Sequence, residues 1–281
     1  MLDILKAILF GIVEGITEWL PVSSTGHMIL LDEFVKMNVS TEFWNLFLVV
    51  IQLGAILAVV ILFWNQIFPF DLSSEARKEH RVNKKEIWIL WGKILIACIP
   101  AAIVGVLFDD WLDEHLYNGI VVAIMLILFG VGFIVIENKN KDKKAVINSL
   151  EEIDIKTALL IGVFQLIAAI FPGTSRSGST ILGALMIGVS RTVAAEFTFF
   201  LAIPVMFGAS LLKVVKFLKA GLMFTSMELT ILIVGMVVAF VVSVLVIRFL
   251  MGYIRKHDFK VFGYYRIVLG IIVLVYFAIA G

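Results

Sequence analysis

Ten apolar runs divide this chain, and their lengths constrain its fold more than any other feature. A helix needs roughly 20 residues to cross about 30 Å of hydrocarbon. Six runs reach about that length, at about 43–64, 87–107, 119–136, 194–218, 228–250 and 262–280. Because 61% of the residues are hydrophobic and only 16% are charged, the chain cannot cover a core with a water-facing surface. The sequence therefore predicts an all-α polytopic membrane protein.

The other four runs are too short to cross a membrane as single helices. They lie at about 7–20, 26–36, 157–171 and 178–190. These runs form two pairs, each interrupted by a proline followed by small and hydroxyl residues, at 21–26 and 172–178. Because the residue before a proline is disfavoured in the helical conformation, each helix should end there. We therefore predict two re-entrant helical hairpins, at about 7–36 and 157–190.

Positive charges predict the side of the membrane on which each loop lies. Lys and Arg concentrate in the loops 71–86 and 137–156 and in a group at 255–260, whereas the loop 108–118 contains neither. Cytoplasmic loops carry the excess of Lys and Arg, so we place the basic loops inside and 108–118 outside. The two hairpins then enter the membrane from opposite faces, and each half of the chain holds one hairpin and three spans.

An odd number of spans in each half gives the two halves opposite orientations. Three residues of the first hairpin recur in the second at a constant offset of 151 residues: Gly11/Gly162, Pro21/Pro172 and Ser24/Ser175. We therefore predict an inverted-topology repeat of 1–136 and 157–281, joined by a basic cytoplasmic linker at 137–156. Such repeats hold their binding site where two broken helices meet near the midplane.

Two carboxylates interrupt the first apolar run. Glu14 and Glu18 are four residues apart, so they share one face of a helix. A charged side chain at bilayer depth costs at least about 2.5 kcal/mol on insertion scales, and a like-charged neighbour adds repulsion. Glu18 also lies against the proline break rather than at the outer end of the segment, which argues against a pair that merely reaches the headgroups. The pair indicates a site for a hard cation or an acid/base pair.

Ser24 and His27 follow the first proline break, where the second arm of the hairpin begins. Of the four histidines, only His27 lies near an apolar segment. A lone histidine usually makes one satisfied polar contact, but this one has a hydroxyl three residues away and two carboxylates upstream. We interpret His27 and Ser24 as candidate nucleophile or general base, with the assignment between them open.

The second proline break has a composition suited to an anion. Glycines allow close approach, hydroxyls and free backbone N–H groups donate hydrogen bonds, and a helix N-terminus favours negative charge. Arg176 adds a planar fork that matches phosphate oxygens. The alternative is a polar turn in which Arg176 pairs with Glu14 or Glu18, and that pairing is compatible with phosphate binding. The predicted phosphate-binding residues are Gly173, Thr174, Ser175, Arg176, Ser177 and Thr180.

Together the hairpins would join carboxylates and a histidine to an anion cradle, which suits metal-assisted phosphoryl transfer from an amphiphile. The alternative is a lipid or anion transporter or flippase, since transporters commonly use inverted repeats with broken helices. Anion binding alone does not require a hydroxyl, a histidine and two carboxylates at one site, as Ser24, His27 and the glutamates provide. We therefore favour an enzyme. Nucleic acid is not an expected partner, because the net charge is +1 and membrane topology accounts for the basic loops. Cys98 is the only cysteine, which excludes a disulfide framework.

Two segments resemble the motifs of the undecaprenyl-pyrophosphate phosphatase family associated with bacitracin resistance. The first is EGITEWLPVSSTGH at 14–27, and the second is PGTSRSGST at 172–180. The resemblance extends along the whole chain and includes IQLGA at 51–55 and FLAIP at 200–204. It implies hydrolysis of undecaprenyl pyrophosphate to the monophosphate, which recycles the lipid carrier of peptidoglycan synthesis and lowers sensitivity to bacitracin. It also implies a site reached from the outer face of the bacterial cell membrane.

The same resemblance implies a divalent cation, Mg²⁺ or Ca²⁺, with Glu14 and Glu18 holding the metal or transferring protons. His27 and Ser24 would form the nucleophile and base pair. Arg176 would clamp phosphate, helped by Ser175 and Thr180. The implied partners are a long-chain prenyl pyrophosphate and membrane lipids. The sequence leaves the oligomeric state open, with a homodimer as one option.

Overall fold

The computed structural model describes residues 2–70 and 84–280. Three positive charges of the predicted basic loop 71–86, on Arg77, Lys78 and Arg81, lie outside these ranges. The described residues form twelve helices: α1 (Leu2–Thr17), α2 (Ser24–Phe34), α3 (Thr41–Val50), α4 (Gln52–Leu62), α5 (Trp64–Ile67), α6 (Lys85–Leu116), α7 (Gly119–Asn140), α8 (Ile155–Ile170), α9 (Arg176–Met186), α10 (Arg191–Lys219), α11 (Ser226–Ile254) and α12 (Lys260–Ala280). Within the same ranges no strand longer than an isolated bridge occurs.

Six helical stretches are long and apolar enough to cross a membrane. They are Thr41–Leu62, Lys85–Phe108, Gly119–Asn140, Arg191–Lys219, Ser226–Ile254 and Lys260–Ile279. Each overlaps one of the predicted spans, and the first consists of α3 and α4, which meet at Ile51. The prediction of an all-α chain with six apolar helices long enough to span a membrane is confirmed for the described residues. The four short apolar runs overlap α1, α2, α8 and α9, with ends that differ by one to five residues.

The loop predicted at 108–118 is mostly helical, so that prediction was wrong in its extent. Helix α6 continues to Leu116, because no glycine or proline interrupts the chain after Gly105. Helix α7 begins immediately afterwards, with the side chain of Asn118 accepting a hydrogen bond from the N–H of Val121 at 3.0 Å. The connection between the two spans is therefore a tight turn.

The linker predicted at 137–156 begins within α7, which continues to Asn140. Its following residues attach to the end of the second hairpin, where the N–H of Val146 donates to the carbonyl of Gly188 at 2.8 Å. Buried Glu137 accepts hydrogen bonds at 2.9 Å from Arg191 and from the N–H of Phe259. These bonds tie the ends of α7, α10 and α12 together beside the linker.

The first helix of each hairpin packs against a long helix of the opposite half of the chain. Helix α1 lies along α11, and α8 lies along α6 in the same manner. Each contact centres on a glycine whose missing side chain permits close approach. A Cβ on Gly11 would lie 2.7 Å from the Gly235 carbonyl oxygen, and one on Gly162 would lie 2.3 Å from that of Ala97. Helices α7 and α12 pack against each other.

The two hairpin turns share an unusual serine. Ser23 and Ser175 have φ angles of 73° and 70°, in the left-handed region that non-glycine residues rarely adopt. Each serine caps the following helix, with its side chain accepting from the N–H of Gly26 or Gly178. Ser175 therefore corresponds to Ser23, not to Ser24 as the constant offset predicted. The second turn has one more residue between its proline and its cap, so the offset becomes 152 residues (175 − 23).

Candidate active site

The two hairpin turns adjoin, as the sequence analysis predicted. Arg176 of the second hairpin donates from Nη2 to the Oε1 atom of Glu18 in the first, at 3.1 Å. The hydroxyl of Ser177 donates to the backbone carbonyl of Glu18 at 3.0 Å. Glu18 follows the end of α1, and Arg176 begins α9, so the contact joins the broken ends of two helices.

The Glu18 carboxylate is the centre of this contact. It is 5% exposed, and both of its oxygens have partners. Its Oε1 atom accepts from Arg176, while Oε2 accepts from the Ser24 hydroxyl at 2.6 Å. Ser24 and Arg176 are the first residues of α2 and α9, so equivalent positions of the two hairpins bond to different oxygens of one carboxylate. The Ser24 hydroxyl is thereby held against a base.

Glu14 lies beside Glu18 but has a different environment. It is 1% exposed, and its Oε1 atom has no hydrogen-bond partner. Burying an unpaired carboxylate oxygen costs free energy, so a cation or a proton is expected at this position. Within residues 2–70 and 84–280, no group of three or more His, Cys, Asp or Glu side chains is arranged to hold a metal. The protein therefore supplies at most two carboxylates here, a set that fits Mg²⁺ when substrate phosphates provide further oxygens.

One of the three guanidinium nitrogens of Arg176 has no hydrogen-bond partner. Its Nη1 group donates to the carbonyl of Thr198 at 2.8 Å, and its guanidinium carbon lies 5.8 Å from the centre of the Trp19 ring. The Nε group is buried and has no partner. A guanidinium held by a carbonyl, a carboxylate and an aromatic ring, with a donor to spare, is oriented to receive an anionic oxygen.

The other predicted phosphate-binding residues divide into two groups. Ser177 and Thr180 are engaged within the protein: Ser177 donates to Glu18, and the Thr180 hydroxyl donates to the carbonyl of Arg176 at 2.9 Å. Gly173, with φ of 86°, lies against the backbone of Val122. Ser175 caps α9 and is partly exposed, while the buried hydroxyl of Thr174 has no partner. The structure thus leaves Arg176 and Thr174 with unused polar atoms.

His27 is separated from the partner predicted for it. Its Nδ1 atom lies 2.7 Å from the Ser23 carbonyl oxygen, and its Nε2 atom lies 2.6 Å from the hydroxyl of Tyr265. No hydrogen bond joins His27 to Ser24 in the described part of the chain, where Ser24 bonds to Glu18 instead. Ser24 and His27 therefore belong to two distinct hydrogen-bond networks.

Arg266 of α12 holds both turns in place, and the sequence analysis missed it. Its buried guanidinium donates to the carbonyl of Pro21 in the first turn at 3.1 Å. It also donates to the carbonyls of Gly173 and Thr174 in the second turn, at 2.9 and 2.7 Å. The sequence does contain a feature that indicates this role: Arg266 is the only charge in the apolar run 262–280. An arginine inside a membrane segment marks a functional or structural site.

The fold and the site define a class: polytopic helical membrane proteins in which two short hairpins bury a carboxylate, an arginine and a hydroxyl at their junction. Residues 7–272 match the family described as Bacitracin resistance protein BacA. The chain belongs to this family.

Several relatives are similar over almost the whole chain. The undecaprenyl-diphosphatase of Enterococcus faecalis is 62% identical over 278 residues, covering 99% of this chain and 98% of that protein. The undecaprenyl-diphosphatase of Desulfitobacterium hafniense is also 62% identical, covering 99% of this chain and 97% of that protein. Undecaprenyl-diphosphatase 1 of Clostridium acetobutylicum is 63% identical, with coverages of 99% and 98%.

We predict that Arg266→Met destabilises the protein by about 3 kcal/mol or more, because buried carbonyls of both turns lose their donor. Thermal unfolding in detergent, followed by tryptophan fluorescence, should show a clearly lower midpoint. Lys256→Met removes an exposed positive charge and should leave the midpoint within about 1 °C, in line with surface substitutions. Equal midpoints for the two variants would contradict the role assigned to Arg266.

Proposed function

We propose that this protein hydrolyses undecaprenyl pyrophosphate to undecaprenyl phosphate and inorganic phosphate. The observation that carries the proposal is the buried junction at which Glu18 binds both the Ser24 hydroxyl and Arg176. A hydroxyl on a carboxylate provides an activated nucleophile, and the neighbouring guanidinium provides a phosphate clamp. Membership of the family and the names of the relatives supply the substrate. This activity recycles the carrier lipid of peptidoglycan synthesis and lowers bacitracin sensitivity.

The proposed reaction begins at Ser24. Its oxygen attacks the terminal phosphorus while its proton passes to Oε2 of Glu18. The bond from that phosphorus to the bridging oxygen breaks, and undecaprenyl phosphate leaves with the bridging oxygen. Water then attacks the phosphoserine, and Glu18 returns its proton to the Ser24 oxygen. His27 accepts one proton of the attacking water, and inorganic phosphate is released.

Arg176 holds the phosphate in this proposal. In the resting arrangement its charge is balanced by Glu18, which lowers the cost of burying either group. When a pyrophosphate enters, the unpartnered Nε group offers a first hydrogen bond, and Nη2 can exchange Glu18 for a phosphate oxygen. The Thr198 carbonyl retains Nη1 throughout, so the guanidinium keeps its orientation. Thr174 and Ser175 donate further bonds from the turn.

Glu14, with Glu18, would hold a divalent cation. The unpartnered Oε1 atom of Glu14 is the available ligand, and an exchange of Arg176 onto phosphate would free an oxygen of Glu18. Oxygen ligands of this number favour Mg²⁺ shared with phosphate, with Ca²⁺ as the alternative. A bound cation would neutralise charge that develops on the phosphate oxygens.

A lipid transporter or flippase is the rival function, since it would also need an anion site at the junction of two hairpins. Transport requires a sealed membrane, whereas hydrolysis does not. We expect the purified protein in detergent to release phosphate from undecaprenyl pyrophosphate and to lose this activity when a chelator is added. Glu14→Gln should raise the metal concentration for half-maximal activity by about 10-fold.

The matched control is Glu151→Gln, which changes an exposed carboxylate and should leave the metal requirement unaltered. Undiminished activity of both the unmodified protein and Glu14→Gln at full chelation would contradict the metal proposal. Absence of phosphate release by the unmodified protein at every metal concentration would contradict the enzymatic function itself.

The nucleophile assignment has its own test. With substrate labelled at the terminal phosphate, we expect an acid-stable phosphoprotein, as a phosphoserine requires. Ser24→Ala should abolish it and lower turnover by about 100-fold or more, while Ser226→Ala, a change of an exposed hydroxyl, should have no effect. His27→Ala should still form the phosphoprotein. An acid-labile phosphoprotein that disappears in His27→Ala would identify His27 as the nucleophile.

The inverted repeat, with 1–136 and 157–281 as its halves, is also proposed, and the packing supports it. The contact of α1 with α11 corresponds to that of α8 with α6, and the hairpin turns share their serine caps. Opposed re-entrant hairpins would meet at depth in the cell membrane, with the site reached from the outer face. A homodimer remains a prediction that a mass measurement in lipid nanodiscs can decide.

Reagent access tests this orientation. In a Cys98→Ala background, a membrane-impermeant thiol reagent should label Glu114→Cys in intact cells. Lys143→Cys should react only after the membrane is opened. Both side chains are exposed in the structure, so protein burial does not explain a difference between them. Labelling of Lys143→Cys in intact cells would overturn the proposed orientation.

A further inference from the structure

Each ring nitrogen of His27 has one hydrogen-bond partner, and the chemistry of these partners shows which nitrogen carries the proton. The Ser23 carbonyl oxygen, 2.7 Å from Nδ1, can only accept, so Nδ1 must carry a proton. In the neutral ring Nε2 then carries the lone pair, and the Tyr265 hydroxyl at 2.6 Å must donate to it. The hydrogen-bond partners thus assign the tautomer.

This arrangement limits how His27 exchanges protons. Its Nδ1 proton faces a carbonyl that cannot relay it, and its Nε2 atom faces only the Tyr265 hydroxyl among the partners that the structure gives it. A hydroxyl can donate to a neutral Nε2 atom and can accept from a protonated one, so Tyr265 suits both states of the ring. A phenylalanine ring would do neither.

The position of Tyr265 is fixed by its neighbour in sequence. Arg266 anchors α12 to the carbonyls of both hairpin turns, so Tyr265 is held at a set place beside the junction. The ring of Tyr265 lies within 4° of parallel to that of His27, with centroids 5.6 Å apart. His27 itself lies three residues after Ser24 on α2, and therefore on the same face of that helix.

We propose that Tyr265 is the proton relay of His27, an inference that rests on the proposed hydrolysis. As water attacks the phosphorus, one water proton passes to the Tyr265 oxygen. The hydroxyl proton of Tyr265 passes at the same time to Nε2 of His27. The water O–H bond and the original tyrosine O–H bond break, a new tyrosine O–H bond and an N–H bond form, and the ring leaves the step protonated. Tyr265 ends the step unchanged.

Tyr265→Phe tests the relay, and Tyr264→Phe is the matched control. Tyr264 is the adjacent residue and is exposed to a similar extent, 57% against 47% for Tyr265, so the two variants differ in the hydrogen bond to His27. Tyr265→Phe should lower kcat for phosphate release from undecaprenyl pyrophosphate by about 100-fold, the scale of one proton-transfer contribution, with KM within about twofold. Tyr264→Phe should match the unmodified protein. In mixtures of H₂O and D₂O, kcat of the unmodified protein should depend non-linearly on deuterium content, since two protons move together.

Nitrogen NMR of ¹⁵N-histidine-labelled protein supplies a readout independent of turnover. The Nε2 signal of His27, identified by its absence from His27→Gln, should shift in Tyr265→Phe toward that of a ring nitrogen without a donor. The Nδ1–H signal should persist, because Ser23 still accepts from it. If Tyr265→Phe does not fold, 3-fluorotyrosine at position 265 keeps the ring and hydroxyl while making the hydroxyl more acidic, and kcat should change.

Wild-type kcat in Tyr265→Phe would overturn the relay, and so would a loss of kcat with an unchanged Nε2 signal. An unchanged kcat with 3-fluorotyrosine would overturn it as well. Failure of the proposed function gives a different result, because the unmodified protein then releases no phosphate. In each outcome that overturns the relay, the unmodified protein is active.

Discussion

The rest of the site depends on the hydrogen bonds from the buried Arg266 guanidinium to the carbonyls of both hairpin turns. A hairpin that breaks inside a membrane leaves carbonyls without partners, and hydrocarbon supplies no water to satisfy them. One arginine side chain satisfies carbonyls of both turns, including Pro21 and Thr174. The cost of burying its charge is offset by these bonds, and the same bonds bring two segments about 150 residues apart in sequence (174 − 21) into contact. Glu18 and Arg176 are in contact because the two turns that carry them are held together.

The two hairpin turns share one backbone feature and differ in the side chains that follow it. Ser23 and Ser175 cap the second arms in the same strained conformation. The next residue is Ser24 in one hairpin and Arg176 in the other, and both contact Glu18. Equivalent positions of the two turns thus place a hydroxyl and a guanidinium on the two oxygens of one carboxylate.

Most of the fold could be predicted because membrane spans are local properties of sequence. Run length and hydropathy locate the six spans, since every backbone group in lipid must bond within its own helix. The extension of α6 through 108–116 was missed because acidic residues there resemble a loop, although no helix breaker is present. The sequence comparison paired Ser175 with Ser24 instead of Ser23. The correct pairing depends on the conformation of the turn, which a constant offset does not describe.

The sequence by itself determined the class of protein, the two broken segments and most of the polar residues placed within them. Glu14, Glu18 and Arg176 are recognisable from sequence because a charge in an apolar run is costly and therefore has a reason to be there. Only the tertiary structure decided which groups are partners: Ser24 bonds to Glu18, and His27 bonds to Tyr265. The physical reason is range. Hydrophobicity and helix breaking act along neighbouring residues. The 2.6 Å bond from Ser24 to Glu18 depends instead on the conformation of the turn between them, and the 2.6 Å bond between His27 and Tyr265 depends on how α2 and α12, far apart in sequence, pack.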